Sequence, residues 1–502
     1  MKQYIIKHFW ILASFFLLAF SCKANNNEEV KFAVDKQSIE FTGEGGSQTL
    51  MVTSSKQVYL APADNWIKAV TGTKENNQVE VTVTAEENPT QEVRQSRLAI
   101  VSGEEKIYVD ITQAEGEGPV EIIPVREDNL AWRIADQLAF GWNLGNHFEA
   151  FNNGVSGETA WGNPKATAKT FQKLKAKGFT TVRIPITWLG QFGDAPTYQI
   201  KKEWMDRIYE VVGYAEDAGL YVIINMHHDG VNSQHWLNVV SAANNPEVHA
   251  QILEQITALW TQIAEKFKDK GDFLIFESFN EIQDGKWGWG ANRTDGGKQY
   301  NCLNEWNQAF VDAVRLTGGN NVNRLLGVPA YCTNVDIAIE SFVFPTDPAV
   351  DRLMLSVHHY DPTEYTLTAK YSEWGHTGDA SKKYPGDNEA ELKKIFEKIY
   401  VNYISKGIPV YMGEFGCVNR ETAREQAFQQ YYLKYYAKLA KLYGVPCIIW
   451  DNGAHGAGNE KHAFIDHGTG EYCSPEAKAA IEAMLNSYNN DITLKEIYNQ
   501  AP

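Results

Sequence analysis

Between about residues 31 and 115, apolar and polar positions alternate one for one in short runs. Val79, Val81 and Val83 put every second side chain on one face, and Ile107, Val109 and Ile111 do the same. Asn76-Asn77 and Ser102-Gly103 supply turns between such runs. Short strands of this kind predict a small immunoglobulin-like β-sandwich over 31–115. Gly116, Gly118, Pro119 and Pro124 then read as a short, partly stiff linker over 116–126. Beyond it the period changes. Apolar, strand-like runs at 139–146, 181–188, 221–228, 273–282, 324–332, 352–360, 409–416 and 446–453 alternate with longer helical patterns. The helical patterns include 168–177, 203–218, 249–268, 303–317, 389–405 and 421–443. Eight βα units over 127–502 predict a (β/α)8 barrel, an α/β fold with inserted loops. A doubly wound open sheet is the competitor, but Gly141-Trp-Asn-Leu-Gly-Asn146 lacks the glycine spacing of a phosphate loop.

The first 21 residues follow a different logic. Lys2 and Lys7 precede a mainly apolar run over 9–20, followed by Ser21-Cys22, which is the layout of a secretory signal. That run is shorter than the ~20 residues a membrane-spanning helix needs. Leu18-Ala19-Phe20-Ser21-Cys22 resembles a bacterial lipoprotein box. The resemblance implies a lipidated Cys22 after cleavage, a tether over 22–30, and an outer-membrane, cell-surface location. The alternative is an ordinary signal peptide cut nearby.

The net charge of −17 becomes −19 once the two leader lysines are removed. So acidic a chain repels nucleic acid and anionic lipid, and no nucleic-acid partner is expected. Cys302, Cys332, Cys417, Cys447 and Cys473 are scattered and contain no C-x-x-C pair, which leaves zinc and redox motifs without support. They read mostly as small buried hydrophobes, with one disulfide open. Fourteen Trp, 24 Tyr and 23 Phe serve either core packing or flat stacking surfaces for sugars. Only one of the tryptophans, Trp66, falls in 23–126. One Trp is a thin platform, so the sandwich reads as a spacer rather than a carbohydrate binder.

In a barrel of this class the chemistry belongs at the C-terminal strand ends. Those ends carry Asn143 and Asn146; Arg183 and Trp188; His227, His228 and Asp229; Asn280 and Glu281; His358, His359 and Tyr360; Glu414; and Trp450 and Asp451. Two carboxyls stand out. Glu281 and Glu414 close apolar runs on strands four and seven, across the mouth from each other. A pair about 5–5.5 Å apart is what a retaining glycosidase needs, one carboxyl protonated and one ionised. Two separate salt-bridged structural carboxylates are the alternative.

Six motifs in order then add a resemblance: Thr181-Val-Arg-Ile-Pro-Ile-Thr-Trp, Asn225-Met-His-His, Phe279-Asn-Glu, His358-His-Tyr, Gly413-Glu-Phe-Gly and Ile449-Trp-Asp-Asn. Together they resemble glycoside hydrolase family five, and Gly141-Trp-Asn-Leu-Gly-Asn resembles its subfamily-four endoglucanases. The resemblance covers about 127–490 and implies a TIM barrel and a retaining mechanism. It implies Glu281 as acid/base and Glu414 as nucleophile, with Arg183 and Tyr360 lowering the Glu414 pKa. It also implies Asn280 on the sugar 2-hydroxyl, neutral His227 and His358 in the glucose subsite, and Trp450 as its stacking floor. Asn146 and His228 are further sugar contacts. Trp236, Trp287, Trp289 and Trp374 lie in loops, where they either pack locally or line the cleft, Trp287 and Trp289 foremost. The segment from Arg97 to Gln113 resembles the BACON domain of Bacteroidetes surface proteins.

The expectation is therefore a monomeric surface endo-β-1,4-glucanase without cofactor or metal, acting on plant polysaccharide and best on xyloglucan. Cellulose, mixed-linkage glucan and mannan stay open. The paired histidines raise a metal-dependent barrel hydrolase as a second class, although adjacent strand residues face opposite ways and each pair offers one ligand. A binding-only surface protein is the third.

Overall fold

A computed structural model describes residues 30–64, 66–86, 88, 92–116 and 126–502. The leader, Cys22, the tether over 22–29 and linker residues 117–125 lie outside the described residues. The chain divides into two compact units, Met1–Gly118 and Pro119–Pro502.

The first unit contains two four-stranded sheets. One is antiparallel, in the order Ala33–Val34, Gly46–Thr53, Gln78–Ala85, Ile67–Glu75. The other runs Ser38–Phe41, Glu105–Gln113, Arg94–Ser102, Val58–Pro62, and its first pair is parallel. Strand alternation sends Leu50, Val52, Val79, Val81 and Val83 into one buried cluster with Ile39, Leu98, Ile100, Val109 and Ile111 of the other sheet. Asn76 and Asn77 take positive φ (47° and 65°) in the turn, where asparagine is tolerated. Trp66 belongs to this core at 8% exposure, with the Arg94 guanidinium 4.2 Å from its ring centroid. Its indole packs the sandwich and offers no open platform.

The second unit is a closed barrel of eight parallel strands. They are β1 (Phe140–Asn143), β2 (Thr181–Ile184), β3 (Tyr221–Ile224), β4 (Leu274–Glu277), β5 (Leu326–Pro329), β6 (Leu353–His359), β7 (Val410–Phe415) and β8 (Cys447–Ile449). The ring closes where β8 pairs with β1, Cys447 against Phe140. Helix Leu130–Leu138 precedes β1, with the Asn129 side chain accepting from the Trp132 amide. Its Ala131, Ile134, Ala135 and Leu138 pack on inward Ile223, Ile275, Met354, Tyr411 and Ile448. The N-terminal end of the barrel is thereby filled, and its C-terminal end faces outward.

Strands end earlier than the apolar runs that encode them. The 181–188 run keeps ladder pairing only through Ile184. Past it, the Ile186 amide donates to Asn225 Oδ1 (3.0 Å) and the Trp188 amide to the Asp229 carboxylate (2.9 Å). Side chains satisfy the backbone there, so the segment curls over the rim while staying buried. All five downstream cysteines are free thiols, four of them buried.

Candidate active site

The site is organised around Arg183, which projects inward from β2 and is fully buried. Its Nε donates to Glu277 Oε2 (2.8 Å), Nη1 to Glu414 Oε1 (2.8 Å) and Asn143 Oδ1 (3.0 Å), and Nη2 to Asn280 Oδ1 (2.8 Å). A buried guanidinium demands such partners, because an unpaired one costs several kcal/mol of lost solvation. Glu277 is the carboxylate that neutralises it from the barrel interior. Ser356 Oγ (2.6 Å), Tyr411 Oη (2.9 Å) and Asn225 Nδ2 (2.9 Å) also donate to Glu277. Burial works to raise the Glu277 pKa. Arg183 and the surrounding donors outweigh it and hold the group below the ordinary carboxylate value. Sequence reading missed Glu277, Ser356 and Tyr411, and met Asn225 only as the first residue of a motif, with no role given to it. The available signal was a glutamate inside an otherwise apolar strand, four residues before Glu281.

Glu414 reaches the interior through a bulge. Val357 pairs with Met412, but His358 pairs with Glu414, so Gly413 is an extra residue on β7. Strict alternation from inward Tyr411 would send Glu414 toward the helices; the extra residue returns it to the inside. A Cβ at Gly413 would lie 3.0 Å from His358 Nε2, close enough that the imidazole would have to give by a few tenths of an ångström. Glu414 Oε2 accepts from Tyr360 Oη (3.1 Å). The lowered Glu414 pKa expected from Arg183 and Tyr360 does not result. Burial raises it above the ordinary value, against the pull of His358 and Arg183, and Glu281 adds to the rise.

Glu281 lies four residues past β4, where the Asn280 amide bonds Met226 O (2.8 Å) and the Cys332 amide bonds Ile282 O (2.9 Å). A carboxylate oxygen of Glu281, one of Glu414 and a ring nitrogen of His358 all lie within 4.8 Å of one another. Glu281 is the more open of the two carboxyls. Burial nevertheless pushes its pKa up to about 7, with Glu277 assisting and Arg183 opposing. His358 Nδ1 stands 2.8 Å from Glu281 Oε1. Burial pulls the His358 pKa down to about 4, so this contact is a hydrogen bond to a neutral ring rather than an ion pair. Among the described residues its Nε2 has no partner.

The other expected residues distribute unevenly. Asn225 Nδ2 lies 3.2 Å from His227 Nδ1; because an amide nitrogen only donates, Nδ1 accepts and Nε2 carries the proton. Burial holds the His227 pKa well below 6.5, which keeps the ring neutral. Trp450 is half-buried and stacks on His227 at 6.2 Å and 6°. Asn280 turns its carbonyl to Arg183, leaving the donor end facing away from the guanidinium. Asn146 adopts φ 59° and His228 touches His227 edge-on at 4.5 Å. Trp287 and Trp289 are 56% and 76% exposed in the loop after β4. Trp236 is half-buried, its Nε1 donating to Asp229 Oδ1 (2.7 Å). Trp374 is not a cleft residue. It is 1% exposed and wedged among Tyr431, Tyr432 and Tyr435, because its loop folds back on helix Ala423–Tyr443.

The cellulase family (glycosyl hydrolase family 5) matches residues 145–456, and the BACON family, a putative binding domain, matches residues 57–114. The chain belongs to glycosyl hydrolase family 5. Its family-5 relatives include a xyloglucan-specific endo-β-1,4-glucanase of Bacteroides ovatus, 33% identical over 498 residues, 93% of this chain and 94% of that one. Endoglucanase A of Paenibacillus barcinonensis is 36% identical over 386 residues, 74% of this chain and 88% of that one. Among solved structures, a GH5-4 broad specificity endoglucanase from Bacteroides salanitronis is 50% identical with a TM-score of 0.71, covering 74% of this chain and 98% of its own.

Proposed function

We propose that this family-5 chain is a retaining endo-β-1,4-glucanase in which Glu281 is the acid/base and Glu414 the nucleophile. The observation that carries the reading is the proximity of the two carboxyls, within 4.8 Å. Inverting enzymes hold theirs about 6.5–9.5 Å apart to admit a water between them. Glu281, at about 7, keeps its proton in mildly acidic solution and donates it to the departing glycosidic oxygen. Glu414, pinned by Arg183 and Tyr360, attacks the anomeric carbon from the other side. Glu281, now ionised, then deprotonates the water that releases the sugar. Trp450 supplies the floor beneath that sugar, and His227 Nε2 and the Asn280 amide supply donors to its hydroxyls. Glu414→Gln should abolish turnover while leaving polysaccharide binding; appreciable hydrolysis by the variant would misassign the nucleophile.

Xyloglucan is the substrate we favour, on the strength of the B. ovatus relative, whose alignment runs through nearly all of both chains. Product masses from xyloglucan, carboxymethyl cellulose, barley glucan and mannan test this, with xyloglucan expected to be cleaved fastest. The leader and Cys22 support a lipid-anchored protein at the outer surface, and the sandwich, its Trp66 sealed inside, supports a spacer role. Retention of the chain on insoluble glucan lost on deleting 31–115 would overturn the spacer. Glu281, His358 and Glu414 are also close enough to hold a metal. The hydrogen bond between His358 and Glu281, and those of Glu414 to Arg183 and Tyr360, already account for that spacing, and hydrolysis undiminished by a chelator is the expected result.

A further inference from the structure

The turn after β5 is strained, and it lies beside Glu281. Cys332 and Thr333 are consecutive left-handed residues, at φ 57° and 49°. The second is β-branched, a kind of side chain this region rarely admits. Both are buried, Thr333 completely. The surroundings hold the strain in place. The Cys332 amide donates to Ile282 O (2.9 Å) and the Thr333 amide to Ala330 O (2.9 Å). Asn334 Oδ1 accepts from the Ile337 amide (3.1 Å) and so caps the helix Val335–Ser341, while Tyr331 Oη donates to Gln299 Oε1 (2.8 Å). The bond to Ile282 ties the turn to the neighbour of Glu281. The contorted backbone turns the Thr333 hydroxyl onto the Glu281 carboxyl, with which it hydrogen-bonds. The same oxygen lies 2.6 Å from Cys332 O. A hydroxyl has one proton and two lone pairs. Facing an ionised Glu281, it gives that proton to the carboxylate. Facing a protonated Glu281, it gives the proton to Cys332 O and accepts from the acid instead.

We infer that Thr333 is a positioning residue for Glu281, its hydroxyl turning with each change in the carboxyl's charge and keeping that carboxyl aimed at the glycosidic oxygen. The inference rests on the proposed function, in which Glu281 must hold a proton in the first half of the reaction and lack it in the second. The other groups around Glu281 act differently. Arg183 and Glu277 bear on it by charge, in opposite directions, and Glu414 is a second carboxyl within 4.8 Å. Tyr360 gives its hydroxyl proton to Glu414 (3.1 Å), and burial drives the Cys332 thiol up, so it stays protonated. His358 Nδ1 bonds Glu281 Oε1 (2.8 Å). A hydroxyl turns its proton from one acceptor to another without moving its oxygen, which an imidazole cannot do.

Thr333→Val keeps the branched shape and removes the hydroxyl. The Thr333 bond pulls the Glu281 pKa down from where burial would set it, so its loss lets that pKa rise. The alkaline limb of kcat/KM should then move to higher pH by up to about one unit, the equivalent of one ordinary hydrogen bond. On glucan kcat/KM should fall about ten-fold, a part of the roughly hundred-fold or more that general acid catalysis supplies. On an aryl glycoside with a good leaving group, which needs no proton, it should change less than about two-fold. Thr333→Ser should restore both the limb and the rate. Thr333→Gly, for which a left-handed backbone is unstrained, should move the limb as Thr333→Val does, and it carries the comparison if the valine variant fails to fold. An unmoved limb in the folded variant overturns the inference, as do equal losses on the two substrates or a Thr333→Ser that behaves like Thr333→Val. A Glu281→Ala variant that hydrolyses glucan as well as the wild type would instead sink the proposed function.

Discussion

At the residue scale the site is a contest between burial and charge. Arg183 is shared between two carboxylates, and only Glu277, with three further donors, ends below its ordinary pKa. Glu277→Gln should therefore act at a distance. Removing its negative charge takes away one influence that raises Glu281 and frees Arg183 to pull harder in the opposite direction. The alkaline limb of the kcat/KM profile should move to lower pH than its wild-type position near pH 7, and stability should fall by about 3 kcal/mol, as for other broken buried pairs. An alkaline limb that stays put in this variant would separate Glu277 from the chemistry. Glu281→Ala should hurt natural polysaccharide far more than aryl glycosides with good leaving groups, because only a poor leaving group needs the proton; equal losses on both would contradict the acid role. The expected pull of Arg183 on Glu414 was legible from the sequence. The depth of burial that outweighs it was not, because burial depends on the whole set of strands around the residue.

At the element scale the βα rhythm from 139 to 453 was legible because each buried strand is a short apolar run flanked by helical periods. Helix 168–177 was read to the residue and the helix Glu389–Asn402 from its first residue, whereas others missed their start by one to five residues, most of all Lys298–Leu316. Asn245 and Pro246, for example, begin the helix Pro246–Lys266 before its apolar period becomes evident. The β7 bulge was not legible. Alternation alone points Glu414 outward, and only pairing with β6 shows that Gly413 is supernumerary. Gly413→Ala should press a methyl against the unpartnered His358 nitrogen and lower kcat with the barrel still folded, measurable as lost turnover at an unchanged circular dichroism spectrum. Trp374 shows a different blind spot: a loop label says nothing about whether the loop folds back. Trp374→Ala should cost about 3–5 kcal/mol in denaturant unfolding without altering KM for glucan. A variant of wild-type stability with a raised KM would return Trp374 to the cleft.

At the scale of the whole molecule the buried titratable groups set a pH window for stability. Burial raises Glu281 and Asp229 to about 7 and Glu149 to about 8. Such carboxyls hold protons in the folded state that the unfolded chain releases, so their contribution is lost as pH climbs toward those values. Burial lowers His358 and His462 to about 4 and His228 to about 3. These rings stay neutral when folded, and stability is lost as pH falls below 6.5 toward those lower values. The two trends oppose one another between about 4.5 and 6.5, so the melting temperature should be highest there, declining toward pH 8 and again toward pH 3. A melting temperature that rose steadily to pH 8 would show that these carboxyls are ionised in the native protein. Finally, the partners of Arg183 come from the barrel wall or the few residues after it, whereas Trp287 and Trp289 sit farther out on a connection. Under the proposed function, bond breaking and polymer choice would be inherited on separate parts of the chain. Drift in the rim can retune the diet of such an enzyme while its cutting edge stays unaltered.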